Sequence, residues 1–157
     1  MIVPDANLLI YAVNQDAAAH APAREWLQQT LSGDTPVGLT WLVLIAFIRI
    51  TTHPRILAHP LSAEQALNYV SGWLEQPYVK PLHPGDRHWL ILSRLLREHT
   101  TGGNLTNDAH LAAIAIEHGG VLASADHDFQ RFEGLAFCNP LQSGTVHESS
   151  GGAYRLD

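Results

Sequence analysis

Four aspartates stand where carboxylates can act together. Asp5 ends the short apolar run Ile2-Val3-Pro4 and precedes a helical pattern, and Asp126 follows Val121-Leu122-Ala123 in a similar way. In a parallel α/β sheet, ligands bind beyond the carboxyl ends of the strands, which is where both acids fall. Asp128 lies two residues past Asp126, in Ser124-Ala125-Asp126-His127-Asp128-Phe129. Asp108 opens another helical run, and its i+3 and i+4 neighbours, Leu111 and Ala112, belong to the stripe expected to face the core, so this acid leans inward. Three of these acids alone also have an ordinary role: Asp5 as the N-cap of the following helix, Asp108 as a helix-dipole partner, Asp128 as the cap of a short helix.

Carboxylates that converge repel one another and hold protons unless a cation neutralises them, which is the chemistry of an oxygen-ligand Mg²⁺ or Mn²⁺ site. Such a cation stabilises charge on a scissile phosphate and lowers the pKa of an attacking water. It also offsets the formal charge of -6, which by itself argues against phosphate binding through clustered Lys and Arg. Arg49, Arg55 and Arg87 are candidates for contact with phosphate, though each alone reads more simply as a solvated side chain.

Other chemistries are poorly served. The ten His do not form a zinc-type spacing joined to a second ligand set. Neither a Walker-type phosphate loop nor the dinucleotide glycine fingerprint occurs, and Thr101-Gly102-Gly103-Asn104 reads as a loop. A nucleophilic Asp5, as in a phosphatase or receiver domain, is disfavoured by Asn7 and by the lack of an adjacent acid pair. The single cysteine, Cys138, excludes an intrachain disulfide and a thiolate cage and points to the cytoplasm.

The elements that must position these acids follow a βαβ rhythm, with short apolar runs at 1–3, 37–39, 79–82, 121–124 and 136–138, implying an α/β fold with a mostly parallel sheet. Helical patterns fall at 8–13, after Ala21-Pro22 up to Gly33, at 40–52, after Ser62 with Gln65 completing a capping box, around Leu90 to Leu96, and at 107–118 before Gly119-Gly120. The 40–52 stretch is apolar nearly all round, as expected of a central helix. Trp26, Trp41, Trp73 and Trp89 lie in helical patterns and are expected in the core or at a dimer face. The length of 157 residues suits one domain, ending near Leu141, with 142–157 as a tail or extension. No basic leader precedes an apolar segment, and the most apolar stretch is shorter than the roughly 20 residues that span a bilayer, so neither secretion nor a membrane helix is expected.

In order, Val3-Pro4-Asp5-Ala6-Asn7-Leu8-Leu9-Ile10, Asn107-Asp108-Ala109-His110-Leu111-Ala112-Ala113 and Ser124-Ala125-Asp126-His127-Asp128-Phe129 resemble the motifs of PIN domains, in particular the VapC toxins of bacterial toxin-antitoxin pairs. The resemblance covers roughly 1–141. It implies a three-layer α/β/α fold, Mg²⁺-dependent cleavage of RNA, a homodimer and a cognate VapB-like antitoxin. By position, Asp5 and Asp108 match the principal metal ligands and Asp126 a further site acid, with Asp128 beside it as a candidate to orient water. Ser124 matches the hydroxyl residue of the family's third motif, and Asn7 stands where a small polar residue supports the site. The family also carries a glutamate in a segment resembling Leu-Val-Leu-x-Glu-Phe-x-Arg, whereas Leu42-Val43-Leu44-Ile45-Ala46-Phe47-Ile48-Arg49 has Ala46 there. That missing acid weighs against a two-metal mechanism and motivates the alternative of a noncatalytic PIN-fold module for RNA or protein.

Overall fold

A computed structural model describes residues 1–99, 105–142, 145–148 and 152–155. The chain forms β1 (Ile2–Pro4), α1 (Ala6–Val13), α2 (His20–Ser32), β2 (Val37–Thr40), α3 (Trp41–Thr51), α4 (Ala63–Leu74), β3 (Val79–Leu82), α5 (His88–Glu98), α6 (Leu105–Glu117), β4 (Val121–Ala123), a 3-10 turn (His127–Arg131), β5 (Ala136–Cys138), β6 (Thr145–Glu148) and β7 (Gly152–Arg155). The strands order as β3-β2-β1-β4-β5-β6-β7. The first five are parallel, and β6 and β7 add antiparallel beyond β5. The expected three-layer α/β/α architecture is therefore present. The segment expected as a tail or extension supplies the last two strands.

Local rules account for most boundaries. Ser62 accepts from the Gln65 amide while the Gln65 side chain accepts from the Ser62 amide, the expected capping box. Pro22 sits in the first turn of α2, where its missing N–H costs nothing. Past α6, Gly119 takes φ 63°, the left-handed geometry that ends a helix. Gly120 follows, and a side chain there would meet Val3 Cγ2 at 2.9 Å.

The core lies on both faces of the sheet. Val3, Leu39, Leu122 and Phe137 from the strands pack with Leu9, Leu27, Phe47, Leu95 and Ile114 from the helices, all nearly inaccessible to solvent. Buried alanines at 109, 112, 113 and 115 let α6 lie close to the sheet. On the other side, Phe47 meets Trp73 edge-on at 4.7 Å between centroids, joining α3 to α4.

α3 departs from expectation. Val43, Leu44 and Phe47 are buried, but Trp41 is 45% and Ile45 60% exposed. An apolar circumference made it read as a central helix; packing covers one side of it, and the other is open. The tryptophans divide likewise: Trp73 is in the core, whereas Trp41 and the 72% exposed Trp89 are on the surface. The expected loop 101–104 lies outside the described residues.

Candidate active site

Topology brings two of the acids' supports together. β1 is central, with β2 and β3 on one side and β4 and β5 on the other, so the chain changes direction across the β1–β4 pair, the position favoured for ligands in open parallel sheets. Pairing of Val3 with Leu122 and of Pro4 with Ala123 makes Asp5 and Ser124 the next facing residues, and the Asp5 amide donates to the Ala123 carbonyl at 2.8 Å.

Asp5 is held at both oxygens. Oδ1 accepts from the Ala6 amide at 2.7 Å, making Asp5 the N-cap of α1, and Oδ2 accepts from the Ser124 hydroxyl at 2.7 Å. The capping role and the site role are thus performed by one side chain. Ser124, fully buried, uses its remaining capacity to accept from Asn7 Nδ2 and from the Asp126 amide, both at 3.0 Å. Asn7 Oδ1 accepts from the Ala125 amide at 3.4 Å. Asn7 and Ser124 therefore tie the loop after β1 to the loop after β4.

Asp108, in the first turn of α6, comes in from the side. Its inward lean holds: Leu111 and Ala112 are buried and Asp108 is partly buried. Asp5, Asp108, Ala46, Arg49, Leu42, Ile45, Leu111 and Asn107 are among the residues lining one cavity of about 280 Å³. Ala46, where the expected glutamate is missing, thus opens onto the same space as the two principal acids.

The electrostatics mark this space as short of positive charge. Burial raises the Asp5 pKa, with Asp126 adding to the shift, while the Ser124 and Ala6 hydrogen bonds oppose it. Asp108 is pushed up to about 6, first by burial and then by Asp5, Asp126 and Asp128, against a partial offset from Arg131. All four predicted acids consequently share one electrostatic field.

Asp126 and Asp128 occupy its solvent side, and both are exposed. The expectation that Asp128 caps a short helix is corrected: Asp126 is the N-cap, its Oδ1 accepting from the Asp128 amide at 2.9 Å. The extended backbone of Asp126, directly before the 3-10 turn, suits a cap, whereas Asp128 is already inside the first turn. Asp128 pairs with Arg131 at 3.4 Å, and Arg131 Nε also donates to the Asp128 carbonyl. The proximity of Arg131 to the acids was not anticipated from sequence, although its i+3 spacing from Asp128 was a usable signal.

The donor chemistry fits a hard cation, since the oxygen ligands in the lining are the carboxylates of Asp5 and Asp108 and the amide of Asn107, with Arg49 the one cationic side chain and no thiol or imidazole in the cavity. Among the described residues no three His, Cys, Asp or Glu form a preformed metal cage. Among the described residues, no helix is long and apolar enough to cross a membrane.

The PIN domain family profile matches residues 2–135. The chain is 44% identical over 140 residues to Ribonuclease VapC37 of Mycobacterium tuberculosis, covering 89% of this chain and 97% of that protein. It is 44% identical over 142 residues to Ribonuclease VapC33 of the same species, covering 90% and 99%. Among solved structures, VapBC-1 from nontypeable Haemophilus influenzae superposes with a TM-score of 0.65 at 20% identity, covering 90% of this chain and all of that one.

Proposed function

The chain belongs to the PIN-domain family, and on that premise we propose that it is a metal-dependent endoribonuclease, the toxin of a VapBC-type pair. The observation that carries this reading is the shared field of Asp5 and Asp108 across one cavity at the switch point of the sheet, both with raised proton affinity. The names of the 44% identical relatives support RNA as the substrate.

Asp5 and Asp108 would hold Mg²⁺ or Mn²⁺, which supplies positive charge to the scissile phosphate and acidifies the attacking water. Asp5 is oriented before any ligand arrives, because Ser124 and the Ala6 amide fix its plane. Asp108 must release its proton to take part, so it acts in its ionised form. Asp126 and Asp128, on the solvent side, orient the water and accept its proton as its oxygen bonds to phosphorus and one ester P–O bond breaks. Ala46 leaves this site one carboxylate short of the family pattern, which favours a single cation.

A VapB-like antitoxin is the natural regulator. The open side of α3, with Ile45 on the rim of the acidic cavity and Trp41 exposed one turn before it, suits an apolar helix, and a basic side chain reaching the carboxylates would replace the cation there. The complex should then weaken as Mg²⁺ rises at constant ionic strength. Sequencing RNA 5′ ends after induction of the protein tests the function: new, discrete ends that depend on Asp108 support it, and an unchanged end profile contradicts it.

A further inference from the structure

We propose that Arg49 grips a backbone phosphate of the RNA strand at the mouth of the acidic cavity, a role that rests on the ribonuclease reading above. Three observations carry it. Arg49 lines the same cavity as Asp5 and Asp108, and it is the one Lys or Arg among the lining residues. Its helix has no acid: Trp41–Thr51 reads Trp-Leu-Val-Leu-Ile-Ala-Phe-Ile-Arg-Ile-Thr, so the i−3 and i−4 neighbours on its face are Ala46 and Ile45, neither able to pair with it. Among the described residues Arg49 makes no ion pair or side-chain hydrogen bond.

The other cation near the acids, Arg131, is committed to Asp128 by an ion pair and by a hydrogen bond to its carbonyl. Arg49 is exposed and its planar guanidinium is available for two parallel hydrogen bonds to phosphate oxygens. The need for such a group is local. A strand carrying one charge per nucleotide approaches four carboxylates on a chain of net charge -6, and a fixed cation beside them offsets that repulsion where the strand enters. Leu42, Ile45 and Leu111 on that wall offer no side-chain donors to base edges, and Asn107 is the one lining residue whose amide could. Arg49 therefore contributes affinity and register rather than choice of sequence.

The test is equilibrium binding of a fluorescein-labelled single-stranded RNA to the full chain in EDTA, over a series of salt concentrations, for the wild type, Arg49→Gln, Arg49→Lys and Arg55→Gln. Loss of one phosphate contact should weaken binding about tenfold for Arg49→Gln and flatten the slope of log affinity against log salt by about 0.7. Arg49→Lys should keep the slope while recovering only part of the affinity, because it lacks the planar fork. Arg55, a candidate by sequence, is outside the cavity lining, so Arg55→Gln should behave as wild type. Equal affinity and slope for Arg49→Gln and wild type would overturn the proposal, as would a wild type that shows no salt-dependent binding. If Arg49→Gln binds RNA normally but loses affinity for a cognate antitoxin, Arg49 belongs to a protein interface instead. Binding is read without cleavage, so failure of the ribonuclease reading would show separately, as no cleavage by wild type with Mg²⁺.

Discussion

Ser124 donates its hydroxyl proton to Asp5 Oδ2 at 2.7 Å across 119 residues of chain, and accepts two further hydrogen bonds from Asn7 and the Asp126 amide. One donor and two lone pairs are thereby all in use. Asp5 points into the cavity because a buried hydroxyl on the neighbouring strand end holds it there.

Ser124→Ala should destabilise the protein by about 1–3 kcal/mol, because the Asn7 amide and the Asp126 N–H both lose their acceptor, the buried Ser124 hydroxyl. Cleavage should fall at least tenfold as Asp5 loses its orientation. Urea denaturation monitored by tryptophan fluorescence checks the first point. A midpoint equal to wild type would show that the Ser124 network contributes nothing.

The raised Asp108 pKa sets a direction for stability against pH. Its carboxyl, about 6 when folded against an ordinary 3.8, binds protons more tightly in the folded state. The stabilisation this gives is full below pH 3.8 and lost as pH rises through 6. The metal-free protein should therefore lose this contribution across that window, and Asp108→Asn should abolish that component of the pH dependence. Divalent cation should restore stability above pH 6 in wild type only. Thermal melts with EDTA and with Mg²⁺ from pH 4 to 8 report all three; a wild-type profile unchanged by Asp108→Asn would contradict the assignment.

Ala46→Glu should tighten divalent-cation binding, because position 46 opens onto the cavity of Asp5 and Asp108 and a third carboxylate adds charge beside the cation. Isothermal calorimetry should show an affinity gain of roughly tenfold, a change worth about 1.4 kcal/mol. Unchanged affinity would mean that a longer side chain at 46 points away from the ion.

Trp89 and Leu90 at the start of α5, 72% and 69% exposed, and Trp41 and Ile45 on α3 leave large apolar side chains open that a subunit contact would cover. The purified chain should be a homodimer, and Trp89→Glu with Leu90→Glu should shift it toward monomer if the α5 surface forms the contact. Sedimentation velocity over a tenfold concentration range decides this. A monomer mass for wild type throughout would argue that the exposed residues serve another partner.

Much of this was legible in the residues themselves. The five parallel strands and the Ser62 capping box announce themselves by period and by local chemistry, because each depends on residues a few positions apart. Strand order does not: nothing near Asp5 says that its neighbour in the sheet is β4, 119 residues on, so the Ser124 bond was visible only as a family motif. The open side of α3 was hidden for a related reason, since an apolar circumference states what a helix can bury and not how much its neighbours cover. Arg49 fills the arginine place of the family segment, but only the fold, by setting it on the cavity wall, separates its chemistry from that of Arg55 and Arg87.

The central claim, that Asp5 and Asp108 jointly hold a divalent cation for RNA cleavage, is tested most directly by purified wild type, Asp5→Asn and Asp108→Asn on a labelled single-stranded RNA, each with EDTA and with a Mg²⁺ series. Both substitutions keep nearly the same shape while removing an anionic ligand, so circular dichroism should show folded protein in each case. Cleavage is expected from wild type only with Mg²⁺, falling at least a hundredfold in either variant, a loss of about 2.7 kcal/mol or more in transition-state stabilisation. Wild-type cleavage that persists in EDTA, or a folded variant that cleaves at the wild-type rate, would contradict it.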